Sequence, residues 1–227
     1  MDAKRVVLMV DGMGSSSAGL YLGRVGESIE HRFEADVCIF NYAGFDARFY
    51  YPEHTVLVPF EELLYEFERY VQRYRSAEQL VLIGYSKGGL VVREYLWRKF
   101  QSGTLQPNVV GCCLIASPIS LNAFAHLPFA ALQGQDAARS SIEDLVATFS
   151  DTTGMPFWDR HTLVCRSERD GLLPDCVYEP APHPLMEDHA SPRTTHASII
   201  AAPSTQRYLM KWLPTVGIPR RPQPAAG

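Results

Sequence analysis

The sequence predicts an α/β domain built on a mainly parallel sheet with helices on both faces. Three observations carry that expectation. Short apolar runs recur along the chain, at Val6–Val10, Leu80–Ile83 and Val109–Ala116. Each is continuous rather than alternating, the pattern of a strand covered on both faces. Between the runs lie longer stretches with apolar residues at helical spacing, such as Leu63, Leu64, Phe67, Tyr70, Val71 and Tyr74. Strands alternating with helices favour parallel pairing through crossovers, and 227 residues suffice for one such domain with a substantial core.

Taken in order, Val6–Val10 is the first strand and ends in the Gly- and Ser-rich stretch Asp11-Gly12-Met13-Gly14-Ser15-Ser16. A helix is expected over about 18–32, weakened by Gly19, Gly23 and Gly26. Val37, Ile39 and Phe40 mark a second strand over 35–42, and the aromatic stretch 45–54 reads as a loop. A helix over 60–74 has Glu61, Glu62 and Glu68 largely off its apolar face. Leu80–Ile83 is followed by a turn and by a helix to about Phe100, which Ser102-Gly103 ends. After the strand at Val109–Ala116 there is no strand signal until Thr162–Cys165. The segment between, about 118–158, reads as a helical cap inserted in the domain, with a capping box at Ser140-x-x-Glu143. A Pro- and His-rich loop covers 175–195, and Pro203–Leu213 is the last helix. One domain over 1–213 is expected, followed by a disordered Pro-rich tail over 214–227.

Composition excludes several classes of function. The chain is 46% hydrophobic and 20% charged, with a net charge of −4, so there is no basic footprint for nucleic acid. No apolar run approaches the ~20 residues of a membrane span. The N-terminal apolar run is too short for a signal sequence and has no small-residue cleavage site after it. Five cysteines, Cys38, Cys112, Cys113, Cys165 and Cys176, form no disulfide or metal-binding framework by spacing. Reduced thiols in the cytoplasm, with no metal and no cofactor, are the expectation.

The chemistry centres on Gly84-Tyr85-Ser86-Lys87-Gly88, a G-x-S-x-G pattern between a strand and a helix. In that context the serine sits on a nucleophile elbow, a strained turn that holds its hydroxyl at the end of the sheet. Gly84 and Gly88 leave room where a Cβ would collide. A serine hydroxyl needs a base within hydrogen-bond reach and a group that orients the base. In this architecture the order along the chain is Ser, then Asp or Glu, then His. That order sets aside His31, His54, His126 and His161. His196, just before the last helix, is the preferred base, with His189 second and His183 in the same loop. Asp170, after a strand and before Gly171, is the preferred acid, with Glu168 and Asp175 as alternatives. The oxyanion of a tetrahedral intermediate would take the backbone N–H groups of Lys87 and Met13.

These residues carry a resemblance. Val10-Asp11-Gly12-Met13-Gly14, Gly84-Tyr85-Ser86-Lys87-Gly88-Gly89-Leu90-Val91, Asp170-Gly171-Leu172-Leu173-Pro174 and His196 occur in the order found in the α/β-hydrolase superfamily. The chain resembles its bacterial lipase and esterase branch, and Ile115-Ala116-Ser117-Pro118 is similar to the segment those lipases carry before the cap. The resemblance spans about residues 5–213 and implies ester hydrolysis through an acyl-serine intermediate. It departs from the lipase pattern where Asp11-Gly12 replaces His-Gly, and where Lys87 puts a cation in the first turn of a helix. Asp11 could face the site or bond loop amides; Lys87 could be solvated, or pair with Asp11 or an anionic substrate.

The expected activity is therefore a serine esterase or lipase acting on a small-molecule acyl ester. The alternative enzyme is an acyltransferase, cyclase or thioesterase of a biosynthetic pathway, with a carrier-bound acyl group as substrate. A degenerate, ligand-binding hydrolase is a third possibility. Phe124, Leu127, Phe129 and Trp158 of the cap are expected to line the acyl pocket.

Overall fold

The apolar runs become the buried middle of a sheet. The structure is a computed structural model and describes residues 5–12, 20–40, 59–117, 160–170 and 184–222. In chain order these contain β1 (Arg5–Val10), α1 (Leu20–Arg32), β2 (Asp36–Phe40), α2 (Phe60–Gln72), β3 (Gln79–Tyr85), α3 (Lys87–Gln101), β4 (Val109–Ile115), β5 (His161–Ser167), β6 (Met186–Ser191) and α4 (Pro203–Trp212). Short 3-10 turns at Ile199–Ala201 and Leu213–Val216 flank α4. The aromatic stretch 45–54, the cap over 118–158 and the loop residues Asp175, Cys176 and His183 lie outside the described residues.

The strands form one six-stranded sheet in the order β2-β1-β3-β4-β5-β6, and every neighbouring pair is parallel. The chain starts at β1, steps outward to β2, then crosses back to β3 and proceeds in one direction. The strand order therefore reverses between β1 and β3, where Val10 lies beside Gly84. In open parallel sheets this reversal opens a crevice at the carboxyl ends of the strands, the favoured place for a ligand.

Successive residues of a strand face opposite sides, so the sheet divides the core in two. Val6, Leu8, Val10, Leu80 and Leu82 pack with Phe60, Leu63 and Phe67 of α2 and Leu90 and Val91 of α3. Val7, Met9, Val81 and Ile83 pack with Leu22, Val25 and Ile29 of α1 and Leu209 and Trp212 of α4. Helices on both faces are what the continuous apolar runs predicted. Ion pairs brace α2 against α3. Arg98 binds both oxygens of Glu61, at 2.6 and 2.8 Å, and reaches Glu94 at 2.7 Å, while Lys99 pairs with Glu68. The hydrogen bond from Arg98 holds the Glu61 carboxyl below its ordinary range.

Two sequence expectations fail here. Residues 175–195 were expected to be loop throughout, yet Met186–Ser191 is a strand paired in parallel with β5, from Thr162↔Met186 to Ser167↔Ser191. Among the described residues it is an edge strand, with acidic, largely exposed side chains, so it lacks the apolar run that marks the inner strands. The tail was expected to be disordered from residue 214. Instead Val216 and Ile218 are buried with Trp212, and the backbone continues past α1. There Glu34 N–H donates to Pro219 O at 2.9 Å and Arg221 N–H to Arg32 O at 2.8 Å. The prolines of this segment punctuate it, and the apolar residues between them anchor it to the core. Residues 223–227 lie outside the described residues.

Among the described residues no helix is long and apolar enough to cross a membrane. Cys38, Cys112, Cys113 and Cys165 are free thiols. Cys112, Cys113 and Cys165 are buried in the sheet, and burial pushes the Cys113 thiol well above its ordinary value.

Candidate active site

The site begins with the turn after β3. Leu80–Ile83 are fully buried, which fixes the strand, and α3 starts only two residues after Tyr85. To reverse in that space, Ser86 adopts φ 52° and ψ −124°, in positive-φ territory that an L-residue rarely enters. Such a conformation costs on the order of 1–3 kcal/mol and persists only where its surroundings enforce it. Here Ser86 N–H donates to Ile115 O at 2.9 Å, and Ser86 O accepts Gly89 N–H at 3.0 Å. The Ser117 hydroxyl, fully buried, lies 2.8 Å from Ser86 O and 3.1 Å from Ile115 O.

Glycine is required at the points of closest approach. A Cβ on Gly84 would lie 2.4 Å from the Gly89 Cα, and one on Gly88 would lie 2.3 Å from the carbonyl oxygens of Val10 and Asp11. These contacts are with backbone, which cannot swing aside. Gly88→Ala should therefore push α3 away from β1, lower stability by about 1–3 kcal/mol, and reduce activity beyond that loss by moving Ser86. Thermal unfolding and initial rates of the purified variant check this; a wild-type Tm with wild-type turnover would refute it.

His196 follows β6 and precedes the 3-10 turn at Ile199–Ala201. Its Nε2 lies 2.8 Å from Ser86 Oγ, and its Nδ1 lies 2.9 Å from Asp170 Oδ2. An ionised carboxylate only accepts, so Nδ1 carries the proton and donates to Asp170. Nε2 is then free to accept the Ser86 O–H. The Asp170 side chain is 1% exposed and that of His196 16%, so the acid lies beneath the imidazole while the base meets the solvent side. The structure thus brings together Ser86, His196 and Asp170, the three residues preferred from the sequence.

The loops carrying Asp170 and His196 are stitched to each other. Ser167 O–H donates to Thr194 O at 2.6 Å, Arg169 N–H to the same carbonyl at 2.9 Å, and Thr194 O–H to Ser191 O at 2.7 Å. Glu168, the alternative acid, is engaged in this bracing: its Oε2 accepts Arg193 N–H at 2.7 Å, where Arg193 has φ 58°. His189, the second-choice base, sits on β6, stacked on Tyr208 at 4.2 Å and 3.3 Å from Glu187. Sequence reasoning missed the bracing hydroxyls of Ser117, Ser167 and Thr194. Their only sequence signal was a small polar residue at or just beyond a strand end.

The two departures from the lipase pattern have structural outcomes. Asp11 Oδ1 accepts Gly12 N–H at 2.7 Å, so its carboxylate serves a loop amide. Lys87 is only 5% exposed, so the solvated alternative for it is excluded. Its backbone N–H stands at the start of α3 beside Ser86. Met13 and the cap residues Phe124, Leu127, Phe129 and Trp158 lie outside the described residues. Among the described residues no group of three or more His, Cys, Asp or Glu side chains could hold a metal ion.

No family model matches the sequence, and no curated protein matches it at a significant level. Solved structures do match in shape. A metagenome-derived lipolytic enzyme superposes with a TM-score of 0.67 at 12% identity, covering 95% of this chain and 94% of its own. A protein of Agrobacterium vitis S4 named as a hydrolase gives 0.69 at 15%, covering 95% and 89%. A thioesterase of the prodiginine biosynthetic pathway of Streptomyces coelicolor gives 0.61 at 17%, covering 94% and 86%. The fold is that of the α/β-hydrolases. At these identities the likeness extends to the fold alone. Within the α/β-hydrolase fold, a serine on the elbow after a central strand, an acid after a later strand and a histidine before the last helix follow the chain order Ser, Asp, His.

Proposed function

We propose that this protein is a serine hydrolase that cleaves carboxylic esters through an acyl-serine intermediate. The observation that carries the proposal is the unbroken hydrogen-bonded line Ser86 Oγ–His196 Nε2 at 2.8 Å and His196 Nδ1–Asp170 Oδ2 at 2.9 Å. In the proposed mechanism Ser86 Oγ attacks the ester carbonyl carbon as its proton passes to His196 Nε2. The carbonyl π electrons move to oxygen, and the resulting oxyanion accepts hydrogen bonds from the backbone N–H groups of Lys87 and Met13. Collapse breaks the bond to the alkoxy oxygen, which leaves as the alcohol with the proton from Nε2. Water then attacks the acyl-serine, gives its proton to Nε2, and displaces Ser86 Oγ, which recovers that proton as the acid departs. Asp170 stays ionised and stabilises the imidazolium in both halves.

A panel of nitrophenyl esters of increasing acyl length tests the proposal. Hydrolysis should favour soluble short- to medium-chain esters over emulsified long-chain triglycerides, because the proposed cap, about residues 118–158, is short and would wall a modest apolar pocket. Phe124→Ala and Phe129→Ala should shift that profile of kcat/KM. No hydrolysis of any member would remove the proposed function, and an unchanged profile in both variants would remove the pocket assignment.

A second reading is supported by the thioesterase from Streptomyces coelicolor, which aligns over 94% of this chain. Here the same serine chemistry would release or transfer an acyl group from a thioester. Higher kcat/KM on an acyl thioester than on the matched oxygen ester, or capture of the acyl group by an added alcohol, would favour it.

A further inference from the structure

We infer that Tyr85 is a positioning residue that fixes His196 against the nucleophile elbow; this rests on the proposed role of His196 as the base for Ser86. Tyr85 is the last residue of β3, directly before Ser86. Its hydroxyl donates to the backbone carbonyl of His196 at 2.9 Å. Its ring lies 5.8 Å from the imidazole, tilted by 33°. Two adjacent residues of one strand end therefore hold the same histidine: Ser86 meets the imidazole and Tyr85 meets the backbone.

The arrangement matters because this bond is made at the backbone of His196 itself, within the loop between β6 and the 3-10 turn. Its bracing runs through Thr194 to the acid loop, by way of Ser167 and Arg169. Those bonds tie the base loop to the acid loop at Thr194, two residues before His196. The Tyr85 bond acts at His196 itself, joining it to the strand from which Ser86 projects, and so sets where the imidazole stands relative to both Ser86 and Asp170. The ring itself is held in place. A Cβ on Gly12 would lie 3.1 Å from Tyr85 Cδ1, so the backbone after β1 runs close along it. On its other side the half-buried ring packs against the core that the sheet shares with α1 and α4. In the strand-to-elbow motif this position is open to any residue, so the role belongs to the tyrosine present here rather than to the turn.

Proton transfer between Ser86 and His196 requires a held geometry, and a misplacement of about 1 Å can cost on the order of a hundredfold in rate. Loss of one neutral hydrogen bond loosens the loop without unfolding it. Tyr85→Phe, which deletes the hydroxyl and keeps the ring, should lower kcat about tenfold, the scale of a single hydrogen bond, with KM and Tm close to wild type. A purely structural role would not produce that split.

The deciding readout needs no substrate. In histidine-labelled protein the Nδ1 proton of His196, bonded to Asp170, should give a low-field resonance, assigned by its loss in His196→Gln. In Tyr85→Phe that resonance should weaken through faster exchange with water. Tyr85→Leu is measured alongside, so that a folded variant decides even if the other does not fold. A resonance as sharp as wild type in a folded variant, or a kcat unchanged beside it, overturns the inference. Absence of ester hydrolysis by the wild type would instead count against the proposed function, because the resonance is read on the resting protein.

Discussion

Replacing Ser86 with alanine should leave a folded protein that hydrolyses no ester above the background rate. Alanine keeps the Cβ, so it meets the same steric demand at φ 52° and neither relieves nor adds backbone strain. What is lost is the oxygen 2.8 Å from His196 Nε2. Without it no acyl-enzyme forms, and the imidazole has no hydroxyl to deprotonate. The expected fall in kcat is on the order of a millionfold, the scale seen when the nucleophile of a serine hydrolase is removed. Steady-state rates on the preferred nitrophenyl ester measure it. A fluorophosphonate should label the wild type and leave the variant unlabelled, while thermal unfolding of the two coincides within a few degrees. Residual turnover near wild type in a folded variant would mean that another group attacks the carbonyl.

The inner sheet was legible because burial on both faces leaves a strong mark on the sequence. Val6–Val10 and Leu80–Ile83 admit almost no polar residue, and each became a strand in the register that places Val10 beside Gly84. The edge was not legible for the converse reason. Among the described residues Met186–Ser191 pairs only with β5, and it shows much of its side-chain surface to water, so Glu187 and Asp188 are compatible with a strand there. Local composition also misled at the C-terminal end. Prolines suggested a disordered tail, but Val216 and Ile218 bury against Trp212, a tertiary contact no local pattern reports.

The candidate site was legible where chemistry restricts residue type and backbone together. The elbow demands small residues at two defined positions, and the collisions at Gly84 and Gly88 give the physical reason. The order Ser, Asp, His then narrowed seven histidines to three, and the position just before the last helix favoured His196, which lies within hydrogen-bond distance of Ser86. The bracing was illegible. Ser117, Ser167 and Thr194 act through hydroxyls directed at backbone carbonyls of other segments, and serine or threonine at a strand end is common. The separation of Glu168 from Asp170 likewise needed coordinates: two carboxylates two residues apart take different partners, one the Arg193 amide and the other the imidazole.

That division of labour sets the second large effect. Asp170→Asn should cut kcat by about four powers of ten, the loss seen when a triad aspartate becomes an amide, with KM nearly unchanged. The side chain is almost wholly buried, at 1% exposure, and its Oδ2 accepts the Nδ1 proton at 2.9 Å. Asparagine fills the same space, so the fold is kept. Its amide nitrogen, however, can donate to Nδ1, which moves the ring proton to Nε2. In that tautomer His196 has no lone pair facing Ser86 and cannot accept the hydroxyl proton. The buried anion that stabilises the imidazolium is lost as well. Glu168→Gln is the matched control. Its carboxylate holds a backbone amide of the base loop, and a glutamine oxygen can accept the same bond, so turnover should stay near wild type. Rates for both variants on one ester, with KM determined separately, distinguish the two carboxylates. If Glu168→Gln loses the four powers of ten and Asp170→Asn does not, the acid has been misassigned.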